Sequence, residues 1–421
     1  MNNLKINVPT VLLSFLPISI ILGSSVSLMN TVLFGLCFIS IYFIKNDIRI
    51  YDLKPIFLLI ILNLYLVFNS FISNDIMSGI YRNFGFVRFI LFFLMINYLF
   101  FISEKNLSIL KIWSIIFFVV LIDVYIERFT GSNILGFGGI ENAINAQTRG
   151  YRVVSFFRTE PIPGAFLCGF SFIVVGFILN FLKSKKILKL FGFLIIFFCL
   201  IGVMVTGERS NGLKALIGFS IFISIIDYVK LRDKILVFST LFIIFLLTVN
   251  FSDYVKYRYI DQLYTKINTK DEREKFLNNS LYIKLYKSGF YVFKNNPWFG
   301  VGNKNYRVET CDTNKNSIHK EYYCLTHPHQ IYIEMLSEHG IVGTIIIMGI
   351  IFYLAFRLIR KIIDSRNYIQ AGCLIFLLTN FVPILPSGSF FNNFNITLFM
   401  INFSLMYAIN KETNIFFKKN K

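Results

Sequence analysis

Four polar stretches hold the residues of this chain that could do chemistry. The strongest local signal is the run from His327 to Gly343, HPHQIYIEMLSEHGIVG. As a helix it places His329 at its start, behind Pro328, with Tyr332, Leu336 and His339 or Gly340 following on one face. An imidazole held by a rigid element can take a proton near neutral pH. The plainer alternative is a loop histidine that caps the helix or bonds a carbonyl. VTGERSNG, residues 205–212, sets Gly207, Glu208 and Arg209 in a turn between two apolar runs. A guanidinium suits phosphate oxygens, because its planar fork binds them bidentately and keeps its charge. Otherwise Glu208 and Arg209 neutralise each other, or Arg209 anchors to phospholipid.

RVVSFFRTEPIPGAFL, residues 152–167, adds Arg152 and Arg158, with Arg149 just before them and Glu160 ahead of a Pro161 to Gly164 break. Pro163 and Gly164 suit a kinked or re-entrant start to a helix, tolerated only against protein or a water-filled cavity. The alternative is a set of interfacial anchors. NPWFGVGNKNYR, residues 296–307, offers Gly300 and Gly302 for close backbone approach, or merely a flexible turn; two glycines are too weak a pattern to indicate a nucleotide site. Arg307 at its end and Lys284 upstream complete the candidate substrate-binding cations.

The elements that must position these residues follow from composition. Of 421 residues, 55% are hydrophobic, 18% aromatic and 15% charged, and the mean hydropathy is +0.63. No water-soluble globular protein has this profile. Unbroken apolar runs of span length exclude the alternating strands of an outer-membrane barrel. Twelve runs qualify, at about 8–28, 29–44, 55–72, 84–102, 109–126, 162–182, 187–206, 212–229, 234–250, 340–358, 367–385 and 394–410. Pro17 is placed to kink the first. No small-residue cleavage site follows it, so it reads as a first helix and not a signal peptide. The expected fold is an all-α polytopic membrane protein in three parts: nine helices over 1–250, a large and partly helical external loop over 251–339, and three helices with a tail over 340–421.

The net charge of +19 would suggest nucleic acid in a soluble protein. Here Lys and Arg gather in every second loop, from Lys45 and Arg49 through Lys185 and Lys186 to Lys418 and Lys421, as cytoplasmic loops do. Both termini are therefore expected in the cytoplasm. The external side then receives 127–161, the turn 207–212, the loop 386–393 and the stretch 251–339, which holds all four histidines. Within that stretch 276–293 repeats apolar residues at helical spacing. Cys311 and Cys324 both fall there; an oxidising compartment would allow them to pair, and neighbouring cysteines also occur unpaired. Cys311, His319 and Cys324 do not give a recognised zinc spacing, so no metal is expected.

Taken together these residues resemble the O-antigen ligase and O-antigen polymerase superfamily of bacterial inner-membrane glycosyltransferases. The ligase pattern is His, then Asn, Ser or Gln, nine residues, Gly, two residues, and Gly, Thr or Tyr. His329, Gln330, Gly340 and Gly343 meet it in full. Arg209 matches the family's arginine in a short external turn, and Pro297, Gly300 and Gly302 match its Pro followed by Gly-x-Gly. Glu160 and Gly164 match an acidic-and-glycine stretch ahead of a span. The chain departs at position 282, where members often have Arg and this chain has Tyr282; Lys284 or Arg273 could supply the charge.

The resemblance implies a glycan donor on undecaprenyl diphosphate, whose diphosphate meets Arg209 with help from Arg152 or Arg158. His329 would then deprotonate an acceptor sugar hydroxyl that attacks the anomeric carbon with inversion, without metal or other cofactor. The acceptor would be a sugar of lipid A core for a ligase, or a second lipid-linked glycan for a polymerase, with membrane lipids as surroundings and no nucleic acid. The full His-Gln-x9-Gly-x-x-Gly match favours ligase. A transporter or flippase of lipid-linked glycan would place ionisable groups near the bilayer midplane, and Arg88 and Asp123 are the few candidates within spans.

Overall fold

A computed structural model describes residues 4–45, 51–138, 152–182, 189–227, 229–251, 253–261, 269–270 and 280–418. Among these, regular structure is helical, apart from two isolated β-bridges. In chain order the helices are α1 (Leu4–Ile21), α2 (Ser24–Lys45), α3 (Leu53–Phe71), α4 (Ile76–Gly85), α5 (Val87–Ile102), α6 (Ser108–Thr130), α7 (Pro163–Leu182), α8 (Lys189–Val205), α9 (Arg209–Ile225) and α10 (Leu231–Phe251). There follow α11 (Leu281–Asn295), α12 (Tyr306–Cys311), α13 (Thr313–Ile318), α14 (Ile331–Phe356), α15 (Ile359–Ser365), α16 (Tyr368–Asn380) and α17 (Asn393–Ala408).

Most of the described residues in the twelve apolar runs are helical, and seven helical stretches are long and apolar enough to cross a membrane. The fold is that of an all-α, multi-pass membrane protein. Polar caps mark where several helices begin: Asp52 accepts the Lys54 N–H at 3.0 Å and Asp75 the Met77 N–H at 3.1 Å.

Several expected boundaries move, two of them for a plain local reason. The first run was expected to 28, but α1 stops at Ile21 because Gly23 adopts φ +118°, which ends a right-handed helix. The eleventh was expected to 385, but α16 ends at Asn380, ahead of Pro383, which has no N–H to continue it. In the long stretch between α10 and α14 the helix expected over 276–293 is described from 281 to 295.

The core is one large cluster that runs through the spanning helices, with a satellite of Val292, Val301, Tyr306 and Tyr322 in the segment around α11 and α12. α7 packs closely on α16 because glycines face backbone: a Cβ on Gly372 would stand 2.1 Å from the Phe172 carbonyl oxygen. Such small-residue contacts replace the hydrophobic drive that a bilayer lacks. α14 packs between α3 and α11. At the other end the tail folds back, with the Asp52 N–H donating to the Phe416 carbonyl at 2.8 Å and Asn414 to Asn97 at 2.7 Å.

Candidate active site

His329 precedes the first turn of α14. Gln330 is the N-cap: its Oε1 accepts the Ile333 N–H at 2.8 Å. The turn puts His329 in the left-handed region, φ +57°, and its carbonyl accepts the Ser387 N–H at 2.9 Å from the loop between α16 and α17. The imidazole is half-buried and meets two further rings. Tyr282 of α11 stands nearly perpendicular at 6.0 Å between centroids, and His327 lies at 3.9 Å. Desolvation holds His329 below the ordinary histidine range; the Ser387 backbone opposes this in part, and the Arg152 guanidinium adds to it. Such an imidazole is neutral near pH 7 and able to accept a proton. His327 is pushed down to about 3, first by desolvation and then by His329 and Lys304.

α14 is two helical pieces joined at Gly340, whose φ of 62° and ψ of −168° fall in a region open essentially to glycine. The break frees backbone groups that need partners wherever water is excluded. Residues 297–302 supply them. The Ile341 N–H donates to Pro297 at 2.8 Å and the Val342 N–H to Trp298 at 3.1 Å, while the Val301 and Gly302 N–H groups donate to Ser337 and Glu338 at 3.0 and 2.9 Å. The contact leaves no room for side chains. A Cβ on Gly300 would stand 2.4 Å from the Glu338 carbonyl carbon, and one on Gly343 would stand 1.7 Å from the Tyr65 hydroxyl. Pro297, Gly300, Gly302, Gly340 and Gly343 thus form one interlock. Asn69 and Asn83 bind Asn303 at 2.8 and 2.5 Å and fix the interlock to α3 and α4.

Arg209 opens α9, half-buried. Its neighbour Glu208 reaches across to the start of α7, where one oxygen accepts the Gly164 N–H at 2.6 Å; Asn211 donates to the other at 2.7 Å. Burial pushes the Glu208 carboxyl up to about 7, with Arg152 the largest opposing influence. Arg152 is therefore within electrostatic reach of both Glu208 and His329. Its segment is tied to the Arg209 turn by the Val153 N–H, which donates to the Thr206 carbonyl at 3.1 Å. Two buried acids of α6 hold it from the other side. Glu127 accepts the Val154 and Ser155 N–H groups at 3.0 and 2.5 Å, and Asp123 accepts the Ser155 hydroxyl and the Ile134 N–H, the latter at 2.9 Å.

Residues 193–348 match the family model described as O-antigen ligase. Over that segment, rather more than a third of its length, the chain is similar to the O-antigen ligase family. No curated protein matches it significantly. The match runs from α8 to mid-α14 and takes in the Glu208–Arg209 turn, the interlock and His329. Ligase- or polymerase-type glycosyltransferase activity on lipid-linked glycans is thereby supported in general form. Arg152 and the 386–391 loop lie outside the matched segment.

That loop carries residues the motifs did not reveal. Glu334, one turn into α14 and fully buried, accepts the Ser389 hydroxyl at 2.6 Å and the Phe390 N–H at 3.0 Å. Lys304 donates to the Ser389 hydroxyl as well, and its ammonium lies 3.9 Å from Glu334. This buried set fixes the loop whose Ser387 holds His329. The Glu334 and Glu338 spacing after His329, with a lysine behind Gly302, is the signal that could have found it.

Other expected residues fall elsewhere. Gln330 uses its side-chain carbonyl as a cap, so half of its amide is committed to α14 rather than to a substrate. Arg158, Glu160 and Arg307 have exposed side chains, and no described contact joins them to His329. Lys284 is half-buried on α11, two residues from Tyr282. Arg149 and Arg273 lie outside the described residues. Cys311 and Cys324 are disulfide-bonded, which closes the short loop through α13. Among the described residues no His, Cys, Asp and Glu cluster suits a metal ion.

Proposed function

We propose that this chain is an O-antigen ligase-like glycosyltransferase that moves a glycan from undecaprenyl diphosphate to a sugar hydroxyl of lipid A core on the periplasmic face. The observation that carries this reading is the match of residues 193–348 to the O-antigen ligase family, together with the segment of Arg152, whose Val153 N–H donates to the Thr206 carbonyl of the Arg209 turn at 3.1 Å. His329 takes the proton of the acceptor hydroxyl as its oxygen attacks the anomeric carbon. The C–O bond to the diphosphate breaks with its electron pair on the leaving oxygen, and Arg209 and Arg152 stabilise the charge that develops there. Attack opposite the leaving group inverts the anomeric centre. The reaction is driven by a lipid-linked donor, which suits an outward face without nucleotide sugars.

The alternating loop charges favour cytoplasmic termini and an inner-membrane location. The disulfide accords with an external loop in an oxidising compartment. Asp123 speaks against a transporter, because its carboxylate is committed to Ser155 and Ile134 rather than to a path at the midplane.

The test is complementation of a ligase-deficient Gram-negative host that makes undecaprenyl-linked O-antigen, with wild type, His329→Ala and Arg209→Ala at equal membrane levels. Polymer returns to lipid A core with the wild type and with neither variant. Bare core, followed by restored chain length in a polymerase-deficient host, would replace the ligase reading with a polymerase. Wild-type activity in both variants would refute the site.

A further inference from the structure

The mechanism above leaves an exposed apolar face beside the interlock without a role. α3 carries Phe57, Ile60, Leu64, Phe68 and Phe71 at helical spacing, so they share one face, and all five are exposed. On a membrane-spanning helix such a stripe faces lipid. The stripe does not stop where α3 stops. Phe299 sets its ring edge-on to Phe68 at 5.8 Å between centroids, and Phe84 of α4 does the same to Phe71 at 6.5 Å. Phe299 is 40% exposed and its neighbour Trp298 is 67% exposed. The second tryptophan of the chain, Trp113, is fully buried.

Trp298 and Phe299 belong to the interlock, so they come from the largely polar stretch between α10 and α14 and not from a spanning helix. Two neighbours nevertheless set their level. On α3, Asn69 donates to the Phe299 carbonyl at 3.3 Å, close to the end of that helix at Phe71. On α14, the Val342 N–H donates to the Trp298 carbonyl at 3.1 Å, and the exposed apolar side chains of that helix begin with Ile341 and Ile345. The turns before Gly340 carry Glu334, Ser337, Glu338 and His339 and expose no large apolar side chain. The lipid-facing part of α3 thus ends, and that of α14 begins, at the level of Trp298. An indole suits this level, because its apolar body enters the acyl boundary while its N–H stays among headgroups.

We infer that Trp298 and Phe299 form a membrane-interface anchor, seated between the headgroups and the acyl chains of the leaflet on the His329 side. The partner is the bilayer itself, since the patch continues the lipid-facing stripe of α3. The anchor sits on the same peptides that receive the Gly340 break, so it holds the interlock at a fixed depth. Ile331–Gly340 rises about 15 Å along its axis, which sets His329 up to that far beyond the anchor, on the headgroup side of the acyl chains.

The test uses full-length protein in phosphatidylcholine vesicles whose acyl chains carry bromine either near the headgroup or near the chain end. Tryptophan emission is compared between wild type and Trp298→Phe, so that Trp113 cancels and the difference reports Trp298. Trp298 meets α14 through its carbonyl, and the exchange leaves those bonds in place. Shallow bromine should quench the Trp298 signal about twofold or more beyond deep bromine, and iodide in the water should quench it little. Trp298→Phe/Phe299→Trp moves the reporter by one residue and should give the same order. If Trp298→Phe is not monodisperse, Trp113→Phe reports Trp298 directly. Strong iodide quenching without an effect of either bromine would place the patch in water, as a face for another protein, and overturn the anchor. Equal or stronger quenching by the deep bromine would place it in the hydrocarbon core and overturn it as well.

Discussion

Gly340→Ala is the sharpest perturbation of the element that presents His329. At φ 62° and ψ −168° an alanine is held in a region populated essentially by glycine, at a cost of about 1–3 kcal/mol. Its Cβ would also stand 2.3 Å from the Trp298 carbonyl carbon and 2.5 Å from the Phe299 nitrogen. These are backbone atoms and cannot rotate away. Displacing them threatens the bonds from Ile341 to Pro297 and from Val342 to Trp298, each worth about 1 kcal/mol net. The sum is about 3–5 kcal/mol. For a chain of this size that corresponds to a fall in melting midpoint on the order of 3–6 °C.

Gly349 provides the control. It lies on the same helix, has no positive φ, and a Cβ there meets nothing within 4 Å. Gly349→Ala should be neutral or slightly stabilising, because it restricts the unfolded chain. The assay is thermal unfolding in detergent followed with a thiol-reactive dye, since Cys168, Cys199 and Cys373 are buried and become reactive only when the helices separate. Transfer activity is measured in parallel. A Gly340→Ala midpoint within about 2 °C of the Gly349→Ala midpoint, with wild-type transfer, would refute the interlock.

Two further outcomes follow from the site's electrostatics. His329 must be unprotonated to act as base, so activity is present above its folded pKa and falls as pH drops through it. Arg152→Gln removes a positive charge that holds this pKa down, and the acid limb of the pH–rate profile should move to higher pH; measuring it in a Glu208→Gln background removes the carboxyl that titrates at about 7. An unmoved limb would mean that Arg152 does not act on His329. Glu334→Ala leaves Lys304 buried without its carboxylate and unpins Ser389, a loss of about 3–5 kcal/mol for a broken buried pair. The maximal rate should fall more than the KM rises, and Glu334→Ala/Lys304→Met should recover part of the melting midpoint; no recovery would show that the two are not coupled.

The site was legible in uneven measure. His329 at the head of a helix follows from Pro328 and the apolar spacing beyond it, both local properties. The glycines at 300, 302, 340 and 343 were visible as a pattern, but not as two faces of one contact, because the contact joins segments about forty residues apart. Arg158 and Arg307 looked equivalent to Arg152 by type; only the Val153 to Thr206 bond and the acids of α6 single out Arg152. Lys304 and Glu334 lie within quoted stretches, but their pairing was not visible there, since their common partner Ser389 lies 85 and 55 residues away.

The sequence by itself determined the membrane-spanning class, the helices and the placing of nearly all polar chemistry in a few interhelical segments. Each depends on contiguous residues: a span needs an unbroken apolar run, and a bilayer penalises polar groups wherever the chain crosses it. Only the tertiary structure decided which cations stand near His329 and which carboxylates are spent on holding loops. Those outcomes depend on how helices pack, which is set by side chains along the whole bundle and not by neighbours in the chain.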